Sequence, residues 1–173
     1  MKRALFALGA LAIAVSCGPD NSLGGSVSEL FPLTVSRVDI LRNADAFQVS
    51  YYNNRGADVD LVARLTVALT GFDFKSDKTY KLAGEYVADH QRATVVHLGG
   101  GEPGRVLPHV RNGELKLSSG GNPGETTRGS FSVSFEQTDG YGGGRTLDGR
   151  FLGEAQDAGF GEDGNQTGVD AGT

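Results

Sequence analysis

Between residues 59 and 70 the chain alternates: Val59, Leu61, Ala63, Leu65, Val67 and Leu69 fall on one face, while Asp60, Arg64, Thr66 and Thr70 fall on the other. A period of two is that of a β-strand with one wet face. Phe47, Val49 and Tyr51 alternate with Gln48, Ser50 and Tyr52 in the same way, as do Phe131, Val133 and Phe135 with Ser130, Ser132, Ser134 and Glu136. Shorter segments of similar texture lie at 35–41, 79–82, 92–98, 114–118 and 146–152, which brings the count to about eight strands. Turn residues fill the gaps: Asn43-Ala44-Asp45, Asn53-Asn54-Arg55-Gly56, Asn112-Gly113 and the run from Asp139 to Gly144. The Asn112-Gly113 pair suits a tight hairpin because both residue types tolerate positive φ. No helical period long enough for a crossover is present, so neighbouring strands are expected to pair antiparallel. The expected fold is all-β, an antiparallel β-sandwich of about eight strands, favoured by the uneven strand spacing, with a β-barrel as the alternative.

The two ends of the chain lack this alternation. Lys2 and Arg3 precede twelve residues, Ala4 to Val15, without charge or strong polarity, and the small Ser16 stands directly before Cys17. A twelve-residue helix reaches only ~18 Å against a hydrocarbon core of ~30 Å, so the pattern is that of a secretory signal and not of a spanning helix. Residues 18–28 are rich in Gly, Ser, Asn and Pro and read as a flexible tether. From Ala155 to Thr173 four acidic residues stand with no Lys or Arg and only Phe160 and Val169 as sizeable apolar groups, a composition expected to stay disordered. The organisation is therefore a signal peptide at 1–16, the cysteine and tether at 17–28, a β-rich body at 29–154 and an acidic, Gly-rich tail at 155–173. A cut after Glu154 is expected to leave the body intact.

Charge and cysteine usage narrow the chemistry. The 173 residues carry 16 Lys+Arg against 21 Asp+Glu, a formal balance of −5. Loss of residues 1–16 removes two cations and no anion, which takes the side chains to −7. No basic cluster exists to neutralise a phosphate backbone, so nucleic acid is excluded as a partner. Cys17 is the only cysteine, which rules out an internal disulfide and a thiolate metal site.

The run Ala14-Val15-Ser16-Cys17 resembles the lipobox of bacterial lipoproteins, although those most often carry Leu where this chain has Ala14. The resemblance implies that the Cys17 thiol receives a diacylglyceryl group and that its freed amine is then acylated, as with palmitate. It also implies a membrane-anchored protein of the cell envelope, and Gly18 in place of an Asp after the cysteine points to the outer membrane. Ser22-Leu23-Gly24-Gly25-Ser26-Val27, the closing Gly-Gly-Gly-Arg-Thr-Leu-Asp-Gly-Arg-Phe at 142–151 and the Gly/Asp-rich tail resemble, in general texture, small envelope lipoproteins of myxobacteria. That likeness brings no catalytic residues with it.

Candidate sites within the body are sparse. His90, His97 and His109 are the natural metal candidates, but separations of seven and twelve match no close-spaced ligand motif. Asp58 and Asp60 share one side of a strand, where a solvated acidic face outweighs a Ca²⁺ site or a glycosidase pair. Gly99-Gly100-Gly101 and Gly142-Gly143-Gly144 lack the Lys-Ser/Thr of a phosphate loop, and Gly24-Gly25-Ser26-Val27-Ser28 lacks the closing Gly of a nucleophile elbow. Of the aromatics Tyr51, Tyr52, Phe72, Phe74, Tyr80 and Tyr86, strand alternation sends Tyr51 and Tyr52 to opposite faces, so packing is the simpler role. The tail run at 159–164 has the flavour of an acidic calcium repeat but occurs once, whereas such repeats work stacked. No catalytic residue, cofactor or metal site follows. The expected function is that of a non-catalytic envelope module with a protein partner, with a small-ligand-binding barrel second and an enzyme third.

Overall fold

The computed structural model describes residues 20–69, 71–99 and 105–159. Its strands are β1 (Ser22–Gly24), β2 (Arg37–Arg42), β3 (Ala46–Arg55), β4 (Asp58–Ala68), β5 (Lys78–Ala83), β6 (Gln91–Leu98), β7 (Arg105–Val106), β8 (Val110–Ser119), β9 (Thr126–Phe135) and β10 (Thr146–Asp157). A 3-10 turn, η1 (Ser26–Glu29), follows β1. Among the described residues no helix is long and apolar enough to cross a membrane. The eight strands expected from alternation are β2 to β6 and β8 to β10. The fold is all-β, and hydrogen bonding runs β10-β2-β3-β4-β6-β5-β8-β9 and back to β10, which closes the barrel held as the alternative.

Closure depends on two short parallel contacts. Ala155, Gln156 and Asp157 of β10 pair with Ile40, Leu41 and Arg42 of β2, and Leu82 and Ala83 of β5 pair with Gln91 and Arg92 of β6. The expectation of purely antiparallel pairing is thereby corrected. A full parallel pair needs a long crossover, but an overlap of two or three residues does not, because β6 starts beside the end of β5 and continues onward. Closing the path leaves few open strand edges, the common solution for an antiparallel β protein.

Three further expectations are overturned. Asn112 and Gly113 make no tight turn: both lie inside β8, neither has positive φ, and Gly113 lets the Val133 backbone and side chain approach closely. The segment read as a tether is part of the fold from Asp20 onward, since β1 pairs with β10 and Val27 is fully buried. Two apolar residues in a Gly/Ser stretch, Leu23 and Val27, show no strand period, so their burial is decided by what the barrel offers them. The boundary at 154/155 also moves, because β10 runs to Asp157 and Ala155 is fully buried. The rest of the expected tail, 160–173, lies outside the described residues, as do the expected signal peptide at 1–16 and Cys17.

Side chains fill the interior. Phe47 and Val67 face each other across β3 and β4, and Val49, Leu65 and Val95 are in register across β3, β4 and β6. With Tyr51, Leu115, Leu117, Phe131, Phe135, Leu147 and Phe151 they form one buried cluster. An eight-stranded barrel is just wide enough for such filling or for one small ligand. Two glycines make room for the large rings: a Cβ on Gly149 would overlap the Phe131 ring, and one on Gly129 would overlap that of Phe151. Tyr51 donates its hydroxyl to the Arg150 carbonyl at 3.1 Å, and burial pushes its pKa up, so it stays un-ionised.

Both mouths are stoppered. At the rim where the 43–45 and 120–125 turns meet, Phe74 packs on Phe47 and Tyr80, each with ring centroids 5.0 Å apart, and the Arg42 guanidinium lies over its ring. At the opposite rim Phe31, which follows η1, stacks on His97 at 3.7 Å and lies near Tyr141.

Candidate functional site

The stopper at the second mouth leaves a hollow of about 230 Å³ lined by Leu30, Phe31, Pro32, Asn53, Arg55, Asp60, Val62, His97 and Gly99. The β3–β4 hairpin supplies its charges. The turn after Arg55 brings β4 back so that Asn53 stands opposite Asp60, and the Arg55 Nε lies 2.6 Å from the Asp60 carboxylate. Asp60 is 8% exposed, and a carboxylate so placed needs compensating charge and hydrogen bonds, which the guanidinium helps provide. Asp58 is exposed, so the expected solvated acidic face holds for Asp58 and fails for Asp60.

His97 enters from β6, also 8% exposed. Its Nδ1 is 2.8 Å from the Val62 carbonyl. A carbonyl can only accept, so Nδ1 carries the proton and Nε2 is the ring's other hydrogen-bonding atom. Phe31 covers one face of the imidazole. Carboxylate, guanidinium, amide and imidazole thus stand around an aromatic wall, a lining suited to directional hydrogen bonding with a polar group inserted from outside.

The three histidines do not share a site. His90 borders a shallow groove of about 430 Å³ on the outer face of β5, β8 and β9, with Lys81, Glu114, Ser132 and Ser134, and its Nδ1 is 3.0 Å from the Ala88 carbonyl. His109 borders a third hollow beside β6, with Leu107 and Thr94. The Thr94 hydroxyl there is buried without a hydrogen-bond partner. Among the described residues no three His, Cys, Asp or Glu side chains are grouped to hold a metal ion.

Tyr51 and Tyr52 divide as strand alternation requires, whereas Phe72, Phe74 and Tyr86 lie in connections between strands. Tyr51, Phe74 and Tyr80 are buried, Tyr52 is half-buried beneath Arg37, and Phe72 and Tyr86 are exposed. Gly142 and Gly144 take positive φ, the conformational role expected of that glycine run. Arg55 entered the sequence reading only as a turn residue, and Phe31 not at all. The signal for Arg55 was present: a cation just before a two-residue turn and two carboxylates just after it. Phe31 carried none, since its position depends on the path of the chain past η1.

Fold and hollow together define a closed eight-stranded barrel, filled inside, with a polar recess at one mouth. Comparison with protein-family models, with curated proteins and with solved structures finds no match for this chain.

Proposed function

We propose that this chain is a lipid-anchored lipoprotein of the cell envelope whose barrel acts as a non-catalytic structural or protein-interaction module. Cys17 carries the lipid, and the outer membrane holds it. The observation that supports the module over a ligand container is the filled interior: Phe47, Tyr51, Leu65, Leu115, Phe135 and Phe151 are all at or below 1% exposure in the space a carried molecule would need. Ligand pockets commonly span roughly 300–1,000 Å³ and bury most of the ligand, whereas the recess at Asp60 and His97 is smaller and open at the rim. A partner's polar side chain suits it better than a free small molecule.

The lipid reading rests on the sequence around Ala14-Val15-Ser16-Cys17, where two or more acyl chains would give stable anchoring. Mass spectrometry of the N-terminal peptide from a membrane fraction tests it, with a diacylglyceryl adduct on Cys17 as the expected result. A Cys17→Ala chain that still reaches its mature size and sediments with membranes overturns the anchor. Native mass spectrometry of the purified barrel tests the module: a retained small molecule at unit stoichiometry would favour the ligand-binding alternative.

A further inference from the structure

The N-terminal segment carries an inference about orientation, which rests on the reading of Cys17 as lipid-bearing. From Asp20 onward the chain is fastened to the barrel wall. Asp20 pairs with Arg128 at 3.2 Å, and the Asn21 side-chain oxygen accepts the Leu152 N–H at 2.7 Å. Ser22, Leu23 and Gly24 pair with Arg150, Gly149 and Asp148. Ser26 then exchanges hydrogen bonds with Thr146, and Val27 enters the core. Only Gly18 and Pro19 separate this fastened stretch from Cys17. Three Cα–Cα steps of 3.8 Å span at most ~11 Å.

The direction of the fastening is equally definite. Because β1 runs antiparallel to β10, following the chain back from Ser26 to Asp20 passes from Thr146 to Leu152 along β10. That path leads toward the rim where the Gly124 N–H meets the Ala155 carbonyl and Arg42 reaches Gly121 and Asn122. It leads away from the mouth that holds Phe31, Asp60 and His97. The leash starts near Leu152, from which Ala155 at the near rim is three residues up β10 and Thr146 at the far end is six residues down. At ~3.3 Å each and a strand tilt near 40° these lie roughly 8 Å and roughly 15 Å away along the barrel axis, so the ~11 Å leash reaches the near rim and falls short of the far one.

We propose that the barrel stands on the bilayer with the rim of the 43–45 and 120–125 turns against the headgroups, and with the Asp60–His97 recess turned away from the membrane. The occupant of the near rim is the lipid surface itself. Glu125, Glu154 and Asp157 lie at or near this rim beside Arg42 and Arg128, so charge attraction does not hold it there. The short leash does, and the orientation should persist in salt. A partner approaching from the aqueous side meets the recess first.

The test uses the lipidated protein in phosphatidylcholine vesicles with an energy-transfer acceptor on the headgroups. The lipid consumes the Cys17 thiol, so Pro123→Cys and Ala57→Cys each provide a single labelling position, both in exposed turns at opposite rims. Transfer should be several-fold stronger from position 123 than from 57. Ten Gly/Ser residues inserted between Gly18 and Pro19 add a coil of roughly 18 Å and should largely abolish the difference. Equal transfer from both positions in the native-length chain, or stronger transfer from 57, overturns the orientation. Flotation with the vesicles is read separately, and a chain that does not float overturns the lipid reading and this one with it.

Discussion

Ending the chain after Glu154, which the sequence alone presents as harmless, should open the barrel. Ala155 is fully buried, donates its N–H to the Glu125 carbonyl at 3.0 Å and accepts from the Gly124 N–H at 2.7 Å. Ala155, Gln156 and Asp157 also form the whole of the β10–β2 contact, and Asn43 bonds the Ala158 carbonyl at 3.2 Å. A net ~1 kcal/mol per hydrogen bond, summed over the two turn bonds and a short ladder, gives a loss of roughly 3–5 kcal/mol. The proper comparison is a chain ending after Gly159, which keeps all of these contacts, with both chains started at Gly18. At a few degrees per kcal/mol for a chain of this size, the melting temperatures should differ by roughly 10 °C, and urea denaturation should give the same ranking. A difference below about 1 kcal/mol would mean that the β10–β2 pairing does not hold the barrel closed, and the closed barrel would be refuted as the stable form.

Leu65, at 1% exposure in the middle of the barrel, should lose about 2–5 kcal/mol on replacement by Ala, and a loss under ~0.5 kcal/mol in chemical denaturation would put its face at the surface. Val27→Ala removes two methyl groups from a fully buried site and should cost roughly 1.5 kcal/mol, whereas a true tether would show no change. Gly149→Ala forces a Cβ into the Phe131 ring and should cost about 1–3 kcal/mol, with unchanged stability counting against the packing described. The Glu125 carboxylate is held below its ordinary pKa by the Asn122 backbone N–H and then by the Asn122 side chain, so its contribution is present above the unfolded value and lost as pH falls through the folded one. Asn122→Ala keeps the backbone donor and should raise the Glu125 pKa only part of the way, as read by NMR titration; no movement would remove the side chain from the account.

Alternation carried the local half of this fold. Side chains of period two point to alternate faces of a strand without reference to its neighbours, so the eight strands and the core positions Phe47, Leu65, Val67 and Phe135 could be read directly. The wet face expected opposite them fails at Gln48, Ser50 and Thr66, which are buried and hydrogen-bonded across β3 and β4, and Val59, expected inside, is exposed because the β3–β4 register shifts near Tyr52. The expected antiparallel order failed only at β10–β2 and β5–β6, where contacts of three and two residues leave no periodic trace. The recess shows the same division. Asp60 and His97 were separate candidates 37 positions apart, and although the hairpin sequence places Arg55 near Asp60, nothing local says that β6 brings His97 to the same mouth or that Phe31 stacks on it. What the sequence by itself determined was strand identity and most of the inward faces, because each depends on residues within a few positions. Closure of the barrel, the burial of Val27 and Ala155 and the assembly of the recess were decided by tertiary structure. Their partners lie dozens to more than a hundred residues away, and a short polar or Gly-rich segment is buried only when a distant wall supplies its hydrogen bonds.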